Sequence, residues 1–128
     1  MEKHTVLIVD DDKFLLEMYK RKFETNGVQA DVAVGAEETL SKLRGGAEPE
    51  VLILDIIMPG MNGLELLEVI RKEKLAPKAT VIMLTNESGG ETINKAKALG
   101  IQGYIVKATS VPSEVVEKVW EIANLKKN

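Results

Sequence analysis

"TVLIVDDDKFLLEMYKRKFETNG", Thr5 to Gly27, sets an apolar run, three successive carboxylates and an amphipathic stretch side by side. TVLIV (Thr5 to Val9) reads as a strand, because its apolar residues follow one another with no polar face between them. KFLLEMYKRKFETNG reads as a helix in which Leu15, Tyr19 and Phe23 recur at every fourth position, with Gly27 placed to end it. Between them stand Asp10, Asp11 and Asp12. Neighbouring like charges repel, and aspartate favours neither strand nor helix interior. A fold keeps such a cluster where the charges reach water, cap a helix or hold a cation. Asp12 directly precedes the helix and reads as its N-cap. Asp10 and Asp11 need another reason.

Working outward, the same strand-then-helix pattern recurs. VQADVAV (Val28 to Val34) alternates like a strand with one less-buried face, and Ala36, Leu40 and Leu43 line the helix after it. VLIL (Val51 to Leu54) is wholly apolar, followed by a helix with Leu64, Leu67 and Ile70 on one face. TVIML (Thr80 to Leu84) precedes the helix ETINKAKALG. GYIV (Gly103 to Val106) precedes PSEVVEKVWEIANLKK, where Val115, Val119 and Ile122 align and Pro112 suits a first helical turn. Five repeats of this alternation predict right-handed crossovers and a parallel sheet with helices on both faces, a three-layer (βα)5 α/β domain.

The 128 residues suit one domain, and 45% hydrophobic with 29% charged residues is an ordinary globular balance. A net charge of -3 gives no basic field for nucleic acid, so no nucleic-acid partner is expected. The absence of cysteine excludes disulfides, thiol catalysis and Cys-ligated zinc. The short apolar start before the acids is too brief for a signal peptide or a span, so a cytoplasmic protein with no membrane partner is expected. No second pattern appears, so residues 1–128 read as a single domain without an output module. The chain is then a stand-alone regulator or a module cut from a longer polypeptide.

In open parallel sheets, function gathers beyond the carboxyl ends of the strands. The first strand ends in Asp10, Asp11 and Asp12, the second in Gly35, the third in Asp55, the fourth in Thr85 and the fifth in Lys107. Clustered carboxylates with carbonyls and waters form a hard oxygen site suited to Mg²⁺ or Mn²⁺. A carboxylate beside such an ion can attack phosphorus and form an acyl phosphate, whose charge an ammonium and a hydroxyl can stabilise.

With LIVDDD, LILDIIMPGMNG, the strand-ending LT and YIVK in order, the chain closely resembles the receiver domain of bacterial two-component response regulators, typified by CheY. The resemblance covers essentially the whole chain and implies the strand order 2-1-3-4-5. It implies Asp55 as phosphoacceptor, with Asp10, Asp11, Asp55 and the backbone carbonyl of Ile57 around Mg²⁺. It implies Thr85 as switch hydroxyl, Lys107 as the phosphate-pairing lysine and Tyr104 as aromatic switch. The partners implied are a histidine kinase or histidine phosphotransfer protein and a downstream protein, and a phosphorylation-dependent dimer is among the states it allows. The output surface it implies is the fourth helix with the fifth strand and helix.

Three residues depart from the family pattern. Ala108 follows Lys107 where proline is usual, so a trans bond is expected, a cis non-proline bond costing about 3 kcal/mol. Asn86, larger than the usual residue after the switch hydroxyl, is expected to narrow entry to Asp55. Ile57 offers no polar group to orient a water, so a long-lived phosphorylated form is expected. Ile57 also stands where aspartate-nucleophile phosphatases carry a second acid, which argues against a turnover enzyme. Acids after the first strand argue against a flavin carrier. A receiver-fold interaction domain without phosphotransfer is the remaining alternative, opposed by the intact set of Asp10, Asp11, Asp55, Thr85 and Lys107. Met58 and Met61 read as packing, Pro59, Gly60, Asn62 and Gly63 as a turn that holds Asp55, and His4 as an inert residue without a partner.

Overall fold

The computed structural model describes residues 4–124. Along the chain run β1 (Thr5–Asp10), α1 (Lys13–Thr25), β2 (Gln29–Val34), α2 (Gly35–Arg44), β3 (Val51–Leu54) and α3 (Gly63–Lys72). Then follow β4 (Thr80–Thr85), α4 (Gly90–Ala98), β5 (Gly103–Val106), a 3-10 turn (Lys107–Thr109) and α5 (Pro112–Ala123). The strands form one parallel sheet in the order β2-β1-β3-β4-β5, as expected.

Side-chain alternation along each strand divides the core in two. Val6, Ile8, Val51, Ile53, Ile82 and Leu84 point toward α1 and α5, packing on Leu16, Phe23, Val115 and Val119. Leu7, Val9, Leu52, Leu54, Val81 and Met83 point the other way, onto Leu40, Leu43, Leu66, Leu67, Ile70 and Ala96 of α2, α3 and α4. Central strands covered on both faces need apolar side chains at every position, which is why β3 is VLIL throughout.

Helix starts follow the expected chemistry. The Asp12 carboxylate accepts hydrogen bonds from the N–H groups of Phe14 (2.9 Å) and Leu15 (3.2 Å), capping α1. Asn62 and Glu65 form a reciprocal capping box at α3, and Pro112 occupies the first turn of α5. Gly27, with φ of 82°, supplies the left-handed turn after α1.

Several boundaries and faces differ from the sequence reading. Asp10 belongs to β1 and pairs in register with Val34. The second strand ends at Val34, and Gly35 opens α2. On α1 the buried set is Leu16, Tyr19 and Phe23, not Leu15, because the inward stripe alternates three- and four-residue steps. On α3 Leu66 is buried beside Leu67 and Ile70, while Leu64 is half-buried. On α5 Val116 and Trp120 join Val115 and Val119, and Ile122 lies at the margin. No helix among the described residues is long and apolar enough to cross a membrane. The expectations that rest on residues 1–3 and 125–128 lie outside the described residues.

Candidate functional site

Register brings the strand-end residues together. Val9 pairs with Leu54, so Asp10 and Asp55 come next on adjacent strands, and the Asp55 N–H donates to the Val9 carbonyl at 3.0 Å. Thr85 pairs with Val106, so Lys107 follows one step beyond. Asp10, Asp55 and Thr85 are all buried, at 3%, 4% and 0% exposure. Buried charges of this kind require partners.

Lys107 supplies one. Its ammonium donates to Asp10 Oδ2 at 2.5 Å and to Asp55 Oδ2 at 3.1 Å, bridging the two acids. Burial disfavours the Lys107 ammonium, but the hydrogen bond to Asp10 and the charges of Asp55 and Asp10 outweigh it and raise its pKa above the ordinary lysine value. The remaining oxygens are also held. Asp10 Oδ1 accepts from the Asp12 N–H at 3.0 Å, and Asp55 Oδ1 from the Ile57 N–H at 3.2 Å.

Asp11 turns outward in the bend after β1 and is exposed. Partial desolvation of its carboxyl, with the hydrogen bond and charge of Asp10, raises its pKa. Asp10, Asp11 and Asp55 each offer an oxygen within 4.8 Å of the others. One ammonium among three carboxylates leaves about two negative charges uncompensated, and an all-oxygen donor set of that size and charge fits a hard divalent cation.

Thr85 reaches the same edge, and among the described residues its hydroxyl makes no hydrogen bond to Asp55 or Lys107. Its hydroxyl accepts from the Glu87 N–H at 3.3 Å, and the Tyr104 hydroxyl donates to the Glu87 carbonyl. The backbone of one residue, Glu87, therefore joins Thr85 and Tyr104, a connection that strand-end positions alone do not show. Burial, then the charges of Glu87 and Asp55, push the Tyr104 phenol pKa up. The Lys107–Ala108 bond is trans, no cis peptide occurring among the described residues, and the chain turns there in the short 3-10 segment. Asn86 is exposed and lines a groove together with Lys107.

The turn after Asp55 is tighter than a turn motif alone conveys. The Gly63 N–H donates to the Ile56 carbonyl at 2.9 Å, and a Cβ at Gly63 would lie 2.1 Å from the Asp55 carbonyl oxygen. Met58 is buried and Met61 packs against the α2–α4 core, as expected for packing residues. His4 does have a partner, contrary to expectation: its Nδ1 lies 2.9 Å from Glu50 Oε2 and its ring meets Trp120 edge-on. It sits at the amino end of β1, away from the acids.

A sequence model of the response regulator receiver domain matches residues 6–119. The chain belongs to that family. Among relatives of this receiver, the chemotaxis protein CheY1 of Helicobacter pylori is 34% identical over 116 residues, covering 89% of this chain and 92% of that protein. The chemotaxis protein CheY of Pseudomonas aeruginosa is 33% identical over 125 residues, covering 93% and 98%. The crystal structure of a CheY-like receiver domain protein from Methanospirillum hungatei superposes with a TM-score of 0.86 at 31% identity, covering 96% of this receiver and 95% of that chain. This receiver is thus CheY-like and falls within two-component signalling.

Proposed function

We propose that this receiver accepts a phosphoryl group on Asp55 from a histidine kinase or histidine phosphotransfer protein, with Mg²⁺ or Mn²⁺ bound, and that the modification switches a protein-binding surface. The observation that carries this is the Lys107 bridge between Asp10 and Asp55 with Asp11 alongside. It brings a carboxylate nucleophile, an ammonium and the oxygens of a cation site to one point. Asp10, Asp11 and Asp55, with the backbone carbonyl of Ile57, would hold the ion. When bound, the ion supplies positive charge that neutralises the acids and the transferring phosphoryl oxygens.

Asp55 forms the new O–P bond while the P–N bond to the donor imidazole breaks, its electron pair staying on the imidazole nitrogen. Lys107 turns from the carboxylates toward a phosphoryl oxygen. Thr85 gains by moving its hydroxyl toward another, which releases its contact with Glu87 and alters the seat of Tyr104. Three large apolar side chains, Phe14, Ile57 and Val111, are exposed at 77%, 54% and 56%. They belong to the segments that follow β1, β3 and β5, and exposed apolar groups at that edge favour a protein donor. The same reading makes the molecule a cytoplasmic signalling component, not a turnover enzyme on an external substrate.

The test is acetyl phosphate treatment followed by phosphate-affinity electrophoresis. Wild type shifts with Mg²⁺ and stays unshifted without it, and Asp55→Asn shifts in neither case. A shifted Asp55→Asn band, or none for wild type, sinks the proposal. Within it, Asn86→Ala labels faster than wild type, and the phosphorylated form, with Ile57 in place of a water-orienting group, persists for minutes and not seconds.

A further inference from the structure

Tyr19 is a buried phenol on α1. Its ring sits in the apolar cluster between α1, α5 and the sheet, and the residue is 4% exposed. Its tip lines the groove that Asn86, Lys107 and Ser110 also line. Among the described residues the Tyr19 hydroxyl has no hydrogen-bond partner. The hydroxyl is not sealed from solvent, so it keeps contact with water in that groove, whereas phenylalanine would fill the same space without a polar group.

Lys107 is short of a partner on the same side. An ammonium has three N–H donors. Two point to Asp10 and Asp55, and the third has no acceptor among the described residues. Tyr19 and Lys107 make no direct hydrogen bond, and both line the same groove. Burial raises the phenol pKa, the Lys107 charge lowers it, and the Asp10 and Asp55 charges raise it again. A water in a groove with several polar walls satisfies both groups at once.

We propose that Tyr19 is a positioning residue, tethering Lys107 through one bridging water that accepts the free ammonium N–H and donates to Tyr19 Oη. The tether holds the ammonium between the two acids from the α1 side. Its consequence for rate rests on the phosphotransfer reading above, since Lys107 must meet the incoming phosphoryl group from that position. The tether itself does not depend on phosphotransfer.

Tyr19→Phe removes only the oxygen, and three measurements on the whole chain decide the matter. The urea midpoint stays at the wild-type value. The Lys107 ammonium ¹⁵Nζ resonance, identified by its loss in Lys107→Arg, moves. The acetyl phosphate labelling rate with Mg²⁺ falls roughly fivefold, the scale of one lost hydrogen bond. An unmoved Lys107 resonance overturns the proposal whatever the rate does, and an unchanged rate overturns it even when the resonance moves. Should wild type itself fail to label, the phosphotransfer reading falls and the resonance alone decides whether Tyr19 holds Lys107.

Discussion

At the scale of the residue, Gly63 and Phe14 make opposite cases. A Cβ on Gly63 would meet backbone atoms, the Asp55 oxygen at 2.1 Å and the Ile56 Cα at 2.8 Å, and backbone cannot step aside as a side-chain tip can. Gly63→Ala therefore costs about 2–3 kcal/mol, as overpacking does, read as a lower urea midpoint, and it also lowers Asp55 labelling because the displaced group is Asp55 itself. Wild-type values for both would refute this. Phe14 is 77% exposed and holds nothing together. Phe14→Ser leaves stability within about 0.5 kcal/mol and acetyl phosphate labelling unchanged, but slows transfer from a phosphorylated histidine protein. Equal loss with both donors would assign Phe14 to the chemistry and not to docking. The acids, Thr85 and Lys107 were legible because a parallel sheet sends every carboxyl end to one edge. The turn through Gly63 was legible as what holds Asp55, but the crowding at Gly63 and the setting of the Tyr19 hydroxyl were not. A helical stripe tells which way a side chain points but not what its tip meets, and a glycine in a turn looks the same whether or not backbone crowds it.

At the scale of the element, the alternation of strands and helices was legible because burial on both faces forces continuous apolar strands. The inward faces were less so. A strict four-residue step selects Leu15, yet an inward stripe follows a period of 3.6, which brings Leu16 under the helix with Tyr19 and Phe23. α4 is the least anchored helix by the same measure, with Ala96 as its one buried residue. What holds its end is Arg71 of α3, whose guanidinium donates to the Leu99 and Gly100 carbonyls, each at 3.1 Å. Those carbonyls lie where a helix leaves its acceptors unpaired. Arg71→Ala accordingly speeds amide exchange in the last turn of α4 by roughly tenfold, the equivalent of about 1.4 kcal/mol, and leaves α1 unaffected. Exchange that rises equally in both helices would mean global loosening and not release of one clamp. In the proposed switch, phosphorylation acts through Thr85 and Glu87 at the other end of α4 and changes exchange there and in β5 more than in β2.

At the scale of the whole molecule, the site is a fault in the charge distribution that the fold maintains. The formal net charge is only -3, yet three carboxylates converge at one edge against a single ammonium. A parallel sheet creates this crowding, because strand order puts β1 and β3 side by side and register aligns their terminal acids. The packing on both faces must then carry the electrostatic cost. A divalent ion bound there would stabilise the folded state alone, by about 1.4 kcal/mol at tenfold excess over its Kd, or roughly 5 °C in Tm for a domain of this size. Asp11→Asn separates repulsion from binding. It removes the one exposed acid of the three, so the metal-free protein becomes more stable than wild type, while the gain from millimolar Mg²⁺ largely disappears. The two curves therefore cross: the variant melts higher in chelator, and wild type melts higher in Mg²⁺. Parallel curves, with the same Mg²⁺ increment in both proteins, would show that Asp11 takes no part in holding the ion and that the acids are tolerated for another reason.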